Sequence, residues 1–190
     1  MKNQSRKYKM KAKNSTLLSA LAISLGAAFI VPVAGAADGL VEFEGSITTQ
    51  SCTINGGTPD LKVTLPKVSS ASLVRPGSWA GRTPFSIALT DCGAPLNGAV
   101  KVYFEPGAEV DVATGNLNIT NGAGNATNVQ VALLSSAFSP IKLGDVVANT
   151  PSTNLVNGAA KFDYYAQYQS LGAATAGGVT TRVNYTIIYP

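Results

Sequence analysis

Histidine is absent from this 190-residue chain, cysteine occurs only twice, and 13% of the residues are charged. Without histidine the chain cannot build a Ser-His-Asp or Cys-His triad or a histidine-ligated metal site. The acidic residues are scattered among turn-rich segments and do not form the paired carboxylates of a glycosidase. The sequence therefore predicts a protein that is not an enzyme and that uses no cofactor or metal.

Charge is distributed unevenly along the chain. Six of the 14 Lys and Arg residues precede residue 14, whereas all ten acidic residues follow residue 37. Residues 37–190 therefore carry eight basic and ten acidic side chains, a net charge of −2. This balance argues against a nucleic-acid partner. A run of four basic residues without an intervening acid is read as a solvated loop face rather than a polyanion-binding stripe: Lys62, Lys67, Arg75 and Arg82.

The first 36 residues have the three parts of a secretory signal peptide. A basic stretch is followed by an apolar run over residues 17–30, and then by Ala34-Gly35-Ala36. The run is shorter than the ~20 apolar residues of a membrane-spanning helix. We expect cleavage after Ala36, with Ala37 as the second choice, and export of the remaining chain out of the cytoplasm.

The two cysteines, Cys52 and Cys92, both follow the predicted cleavage site. In an oxidising compartment a pair of cysteines in a small domain is expected to form a disulfide. Two separate buried thiols would be the expectation only if the chain stayed in the cytosol.

Period-two alternation of apolar residues dominates residues 37–190, and no segment has a convincing helical pattern. Clusters rich in Gly, Asn and Pro separate the alternating runs. This pattern predicts one all-β domain, an antiparallel two-sheet sandwich. The clearest alternating runs are Val41 to Ile47, Phe85 to Leu89, Val100 to Phe104, Leu117 to Ile119, Val129 to Leu133, Ala160 to Tyr168 and Val179 to Tyr189.

Two strongly alternating runs lie at the ends of the predicted domain, at residues 38–48 and 179–189. Exposed apolar edge strands are usually avoided, because their unpaired backbone recruits other chains. Alternation alone leaves the N-terminal run equally compatible with an ordinary first strand that pairs within its own domain.

Several motifs, in order along the chain, resemble those of the major subunits of type 1-like fimbriae of the chaperone–usher pathway. The motifs are Gly39-x-Val41-x-Phe43-x-Gly45-x-Ile47, Thr83-Pro84-Phe85-x-Ile87-x-Leu89-x-x-Cys92, Asn128-Val129-Gln130-Val131-x-Leu133, Tyr165-x-x-Tyr168 and Val183-x-Tyr185-x-Ile187-x-Tyr189. The chain departs from the family pattern at Pro190, which follows the penultimate aromatic residue, and at Leu40.

The resemblance implies an incomplete immunoglobulin-like antiparallel β-sandwich that a donor strand from a neighbouring subunit completes. It divides the chain into a signal peptide (1–36), a donor segment (37–48) and a pilin domain (49–190). The implied donor side chains are Gly39, Val41, Phe43, Gly45 and Ile47. The implied groove and chaperone strand carries Val183, Tyr185, Ile187, Tyr189 and the carboxylate of Pro190.

The partners implied by the resemblance are identical subunits in a homopolymer, a periplasmic chaperone, an outer-membrane usher and a tip adhesin. The chain would pass through the periplasm of a Gram-negative bacterium and reach the cell surface as a fimbria that supports adhesion. Two other functions stay open: a minor adaptor pilin, for which the chain has the right size, and a secreted sugar-binding adhesin domain. A tip adhesin of this pathway is expected to carry a separate binding domain ahead of its pilin domain, and residues 37–190 hold only one domain.

Overall fold

The computed structural model describes residues 40–47, 51–93, 98–145 and 152–189. The chain forms two units, Met1–Gly45 and Ser46–Pro190, which are described separately. In the first unit, residues 40–45 belong to no strand and are exposed. The predicted signal peptide, Gly39 and Pro190 lie outside the described residues.

The described part of the second unit is built almost entirely of β-strands, with short 3-10 turns at Asn55–Gly57 and Ser70–Ser72. None of its helical segments has the length and apolarity to cross a membrane. The strands are β1 (Thr53–Ile54), β2 (Trp79–Thr90), β3 (Ala99–Phe104), β4 (Leu117–Asn118), β5 (Val129–Ser135), β6 (Ser152–Asn154), β7 (Ala160–Ser170) and β8 (Tyr185–Ile188).

These strands form two antiparallel sheets, which confirms the predicted all-β sandwich. The larger sheet has the order β1-β2-β7-β5-β4, and the smaller one has the order β6-β3-β8. The two longest strands, β2 and β7, pair along most of their length, with a bulge between Ala80 and Thr83. They provide the broad surface on which the smaller sheet packs.

The core lies between the sheets and takes alternate residues from both. Ile87 and Leu89 of β2 and Val100 and Val102 of β3 are almost completely buried. Tyr164 of β7 lies at the centre of an aromatic group, with its ring centroid 5.4 Å from that of Phe85 and 5.3 Å from that of Phe104. Burial raises the pKa of the Tyr164 hydroxyl above its usual range.

Strand β5 is buried on both faces because a loop covers its outer side. Gln130, which is fully buried, donates to Asp111 and Asn118, both at 2.8 Å. It accepts from Thr114 and Asn116 through its amide oxygen. Backbone N–H donors of Ala113 and Thr114 also hold the pKa of the Asp111 carboxyl below its usual value. A buried polar side chain is tolerated here because its amide oxygen and nitrogen both have partners.

Strand bounds differ from the predicted ones where pairing, rather than side-chain pattern, decides them. Residues 41–47 alternate but form no strand, because no described strand pairs with their backbone. Residues 179–189 also alternate, yet only β8 within them is paired as a strand. The alternation did not predict β1 or β6, which are two and three residues long.

Cys52 and Cys92 form a disulfide, as predicted. Cys52 directly precedes β1, and Cys92 follows the end of β2, so the bond holds the first strand at the edge of the larger sheet. A ligand cluster for a metal ion is not present among the described residues.

Replacing Cys52 with Ser is expected to lower the free energy of unfolding by about 4 kcal/mol, because the bond closes a loop of 40 residues in the unfolded chain. The measurement is chemical denaturation of the oxidised mature protein beside the variant. Cys92→Ser should give the same loss, and a double variant no further loss. Equal stability of wild type and variants under oxidising conditions would contradict the expectation.

Candidate functional site

The last strand, β8, is at the edge of its sheet. Within the described residues it pairs with β3 on one side only. The preceding residues continue its side-chain alternation, since Val179, Thr181 and Val183 are partly buried and the residues between them are exposed. The chain from residue 179 to residue 189 therefore has one face toward the core throughout.

Backbone hydrogen bonds show which edge of this segment is satisfied. The carbonyls of Gly178, Thr180 and Asn184 accept from the N–H groups of Ala126 (2.9 Å), Thr120 (2.8 Å) and Glu105 (2.9 Å), respectively. Successive carbonyls of an extended chain point to opposite sides. The backbone groups of the intervening residues therefore point to the other side.

That other side is unpaired. Val179, Thr181 and Val183 form no backbone hydrogen bond to any residue that the structure describes. Across from them, residues 60–68 belong to no strand and likewise make no backbone hydrogen bond within the described ranges.

The two unpaired segments meet at both of their ends. The Tyr185 hydroxyl donates to the carbonyl of Pro59 at 2.6 Å, and the Ala174 N–H donates to the carbonyl of Leu73 at 3.0 Å. One segment runs from 59 to 73 while the other runs from 185 back to 174, so they are antiparallel. We call the gap between residues 60–72 and residues 175–184 the slot.

Apolar side chains line the slot. Val63 and Leu65 on one side and Val179 and Val183 on the other are partly buried against the core. Tyr185 lies at the end of the slot next to Pro59, which we call the closed end. There burial and the charge of Asp60 raise the pKa of the Tyr185 hydroxyl. Unpaired backbone on two sides and an apolar lining fit an extended chain, which can pair with both edges while burying alternate side chains.

The N-terminal segment has the matching properties. Val41 is 73% and Phe43 is 90% exposed, and Ile47 is fully exposed. A Cβ at Gly45 would have no atom within 4 Å. Glu42 and Glu44 alternate with the apolar residues, so in an extended conformation they point away from them.

Of the predicted groove residues, Val183 borders the slot and Tyr185 closes one of its ends, whereas Ile187 and Tyr189 lie beyond that end. Val183, Tyr185, Ile187 and Tyr189 lie along one segment with the same face inward, and the Tyr189 hydroxyl accepts from the Cys52 N–H at 3.1 Å. The opposite side, Leu61 to Leu65, was not identified, although Leu61-x-Val63-x-Leu65 alternates. Three apolar residues are too short a run to distinguish a sheet edge from a loop.

The four basic residues noted in the sequence do not form one stripe, because Arg82 is engaged elsewhere. Its guanidinium carbon lies 4.2 Å from the ring centroid of Trp79 and 4.6 Å from that of Phe138. Its Nε donates to Gln167 at 2.9 Å. The stack explains how Trp79 remains half exposed at the start of β2.

Comparisons with known proteins agree with this architecture. The family model described as "FimA: Type-1 fimbrial protein, A" matches residues 65–190. The major fimbrial subunit SMF-1 of Stenotrophomonas maltophilia is 45% identical over 163 residues, covering 82% of this chain and 95% of the relative. The F17 fimbrial protein of Escherichia coli is 44% identical over 158 residues, covering 80% and 87%.

Among solved structures, a chaperone–usher pilus subunit superposes with a TM-score of 0.58 at 18% identity, covering 84% of this chain and 100% of the other. At this identity the superposition supports the fold, an incomplete immunoglobulin-like sandwich.

Tyr185→Phe is expected to lower the unfolding free energy by about 1 kcal/mol at neutral pH, because the Pro59 carbonyl loses its donor. The raised pKa of Tyr185 means that its stabilising contribution is complete below pH 10 and is lost as the pH rises through the raised value. The variant should therefore lose less stability than wild type above pH 10. Denaturant unfolding at pH 8 and in the alkaline range checks both effects.

Tyr103→Phe provides the control, since the Tyr103 hydroxyl makes no hydrogen bond within the described residues. A Tyr103 variant that loses as much stability as the Tyr185 variant would show that the closed end of the slot is not held by the Tyr185 hydroxyl.

Proposed function

Because the chain belongs to the type-1 fimbrial protein family and is a structural subunit of fimbriae, we propose that it polymerises by donor-strand complementation. In this proposal the slot of one subunit receives residues 37–48 of the next. The observation that carries it is the slot itself, with two unpaired backbone edges above an apolar lining.

Alternate side chains of the donor enter the slot in this proposal. They are Gly39, Val41, Phe43, Gly45 and Ile47. At about 1.5–3 kcal/mol for each fully buried large side chain, Val41, Phe43 and Ile47 supply on the order of 5–9 kcal/mol before ordering costs. Gly45 is expected to lie at a shallow point of the slot, where a Cβ would clash. The nine residues from 39 to 47 match the ten residues, 175–184, that border one side of the slot.

The same slot explains why the subunit needs a chaperone before it assembles. We assign residues 1–36 to a signal peptide that directs the chain to the periplasm, and residues 49–190 to the pilin domain. A chaperone there lends a strand to the slot, pairs with Val183, Tyr185, Ile187 and Tyr189, and anchors the Pro190 carboxylate on basic side chains. An outer-membrane usher then exchanges that strand for the donor of the next subunit.

Donor and acceptor are different surfaces of one molecule, so the contact is heterologous and repeats without closing. The product is an open filament of identical subunits on the cell surface. Both surfaces are present in this chain, which favours an internal shaft subunit over a terminating one, and the relative SMF-1 is named a major subunit. The filament would support adhesion by carrying a tip adhesin, with no catalytic step.

Deletion of residues 37–48, with signal cleavage retained, is expected to leave a subunit that binds its chaperone but does not polymerise. The donor side chains are then missing while the slot remains. Gel mobility in SDS without boiling, together with negative-stain microscopy, measures the polymer. Filaments made from the deletion variant as the only pilin would overturn the donor assignment.

Val183→Asp is expected to reduce polymer formation by at least tenfold, because it places a charge against the apolar donor inside the slot. Asn184→Asp is the matched control, since Asn184 is exposed and only its backbone carbonyl makes a hydrogen bond within the described residues. The yield of heat-sensitive ladder is compared for the two folded variants. Equal yields would show that residue 183 does not face the donor.

A further inference from the structure

The outward faces of the slot edges carry positive charge. Val63 and Val183 are partly buried on the inward side of the slot edges. Their neighbours Lys62 and Arg182 occupy outward positions and are both exposed. Lys62 makes no ion pair with any described residue, and Arg182 is held from its far side by Glu109, with Nε and Oε1 3.2 Å apart.

Lys62 and Arg182 lie at equal numbers of residues from the end of the slot that Tyr185 and Pro59 close. The Tyr185–Pro59 hydrogen bond fixes the antiparallel alignment at the closed end. Three residues further into the slot, the two segments reach Lys62 and Arg182. Because neighbouring strands lie roughly 5 Å apart, a strand inserted between these residues is one spacing from each of them.

The donor carries negative charge on its corresponding face. When Val41 and Phe43 point inward, Glu42 and Glu44 point outward, and they are separated by roughly 7 Å along an extended chain. Among the charged residues on the two edges, Lys62, Lys67 and Arg182 outnumber the single acid Asp60. The edges therefore carry a net charge of +2, opposite to the −2 of the donor face.

We propose that Glu42 and Glu44 of one copy pair with Lys62 and Arg182 of the next copy, forming an ion cluster over the outside of the inserted strand. This pairing deepens the proposed function and rests on it. Arg182 then bridges Glu109 of its own chain and the incoming donor, while Lys62, without an ion-pair partner in the described chain, gains one.

We expect the ion cluster to make polymerisation faster and dependent on salt, and to add little to the stability of the finished polymer. Each exposed ion pair contributes little to stability. Reversing the charges on one side of the cluster is expected to slow polymerisation by about three- to tenfold at low salt, because the attraction that steers the donor becomes a repulsion. At 1 M salt the screening length falls to about 3 Å, and the effect is lost.

The test is a charge exchange within the mature chain, which carries both halves of the contact. We expect Glu42→Lys with Glu44→Lys, and separately Lys62→Glu with Arg182→Glu, to slow polymerisation three- to tenfold in low salt. The combination of all four substitutions should return the rate to within about twofold of wild type. Rates are followed by light scattering and by the unboiled gel ladder, and the fold of each variant by circular dichroism.

Two further variants separate specific pairing from other effects. Lys62→Glu alone avoids the loss of the Arg182–Glu109 pair, and it should slow the reaction without any change in folding. Lys101→Glu with Lys161→Glu changes the net charge by as much as Lys62→Glu with Arg182→Glu, but away from the slot. This variant should leave the rate unchanged.

The inference is overturned if the one-sided variants polymerise at the wild-type rate, or if the fourfold variant is no faster than they are. Failure of the proposed function has a different signature, which is polymerisation of the chain lacking residues 37–48.

Discussion

Every residue of an extended chain presents an N–H and a C=O at its edges, and a folded protein must pair these groups with protein or with water. At the slot this requirement is met on one side only. The carbonyls of Thr180 and Asn184 have partners, whereas the backbone of Val179, Thr181 and Val183 has none among the described residues. Water can satisfy such groups at an ordinary sheet edge, but here the lining is apolar, and water is a poor occupant of it. One extended chain with alternating apolar residues satisfies both requirements together.

The rest of the fold holds that gap open. Strands β2 and β7 pair over most of their length, and the rings of Phe85 and Phe104 pack against Tyr164 between the two sheets. The hydrogen bonds at Pro59 and Leu73 fix the ends of the slot. The disulfide holds β1 beside β2, and the neighbouring Tyr189 hydroxyl accepts from the Cys52 backbone. Together these contacts fix where the two edges of the slot begin and end.

The sequence predicted the side-chain face of each long strand correctly, but it did not predict which backbones pair. Alternation at Val129 to Leu133 and at Ala160 to Tyr168 is a direct consequence of one buried face, so β5 and β7 were identified. The same pattern occurs at Val41 to Ile47 and at Val179 to Val183, but neither range forms a strand. A strand requires a neighbouring backbone to pair with, and side-chain alternation does not encode that neighbour. The Leu61 to Leu65 edge was missed because its alternating run holds only three apolar residues, and β6 is too short to show any period.

The proposed donor also needs a defined register, and alternation of its side chains alone does not supply one. A slip of two residues keeps the same face inward, so alternation by itself does not distinguish neighbouring registers. The charges have the same period, since a slip of two residues moves Glu44 to the place of Glu42. The proposed ion cluster therefore favours insertion with the acidic face outward but tolerates such a slip. In the proposed assembly, the contacts that close the ends of the slot and the missing side chain of Gly45 do not repeat every two residues, so we expect them to select the register.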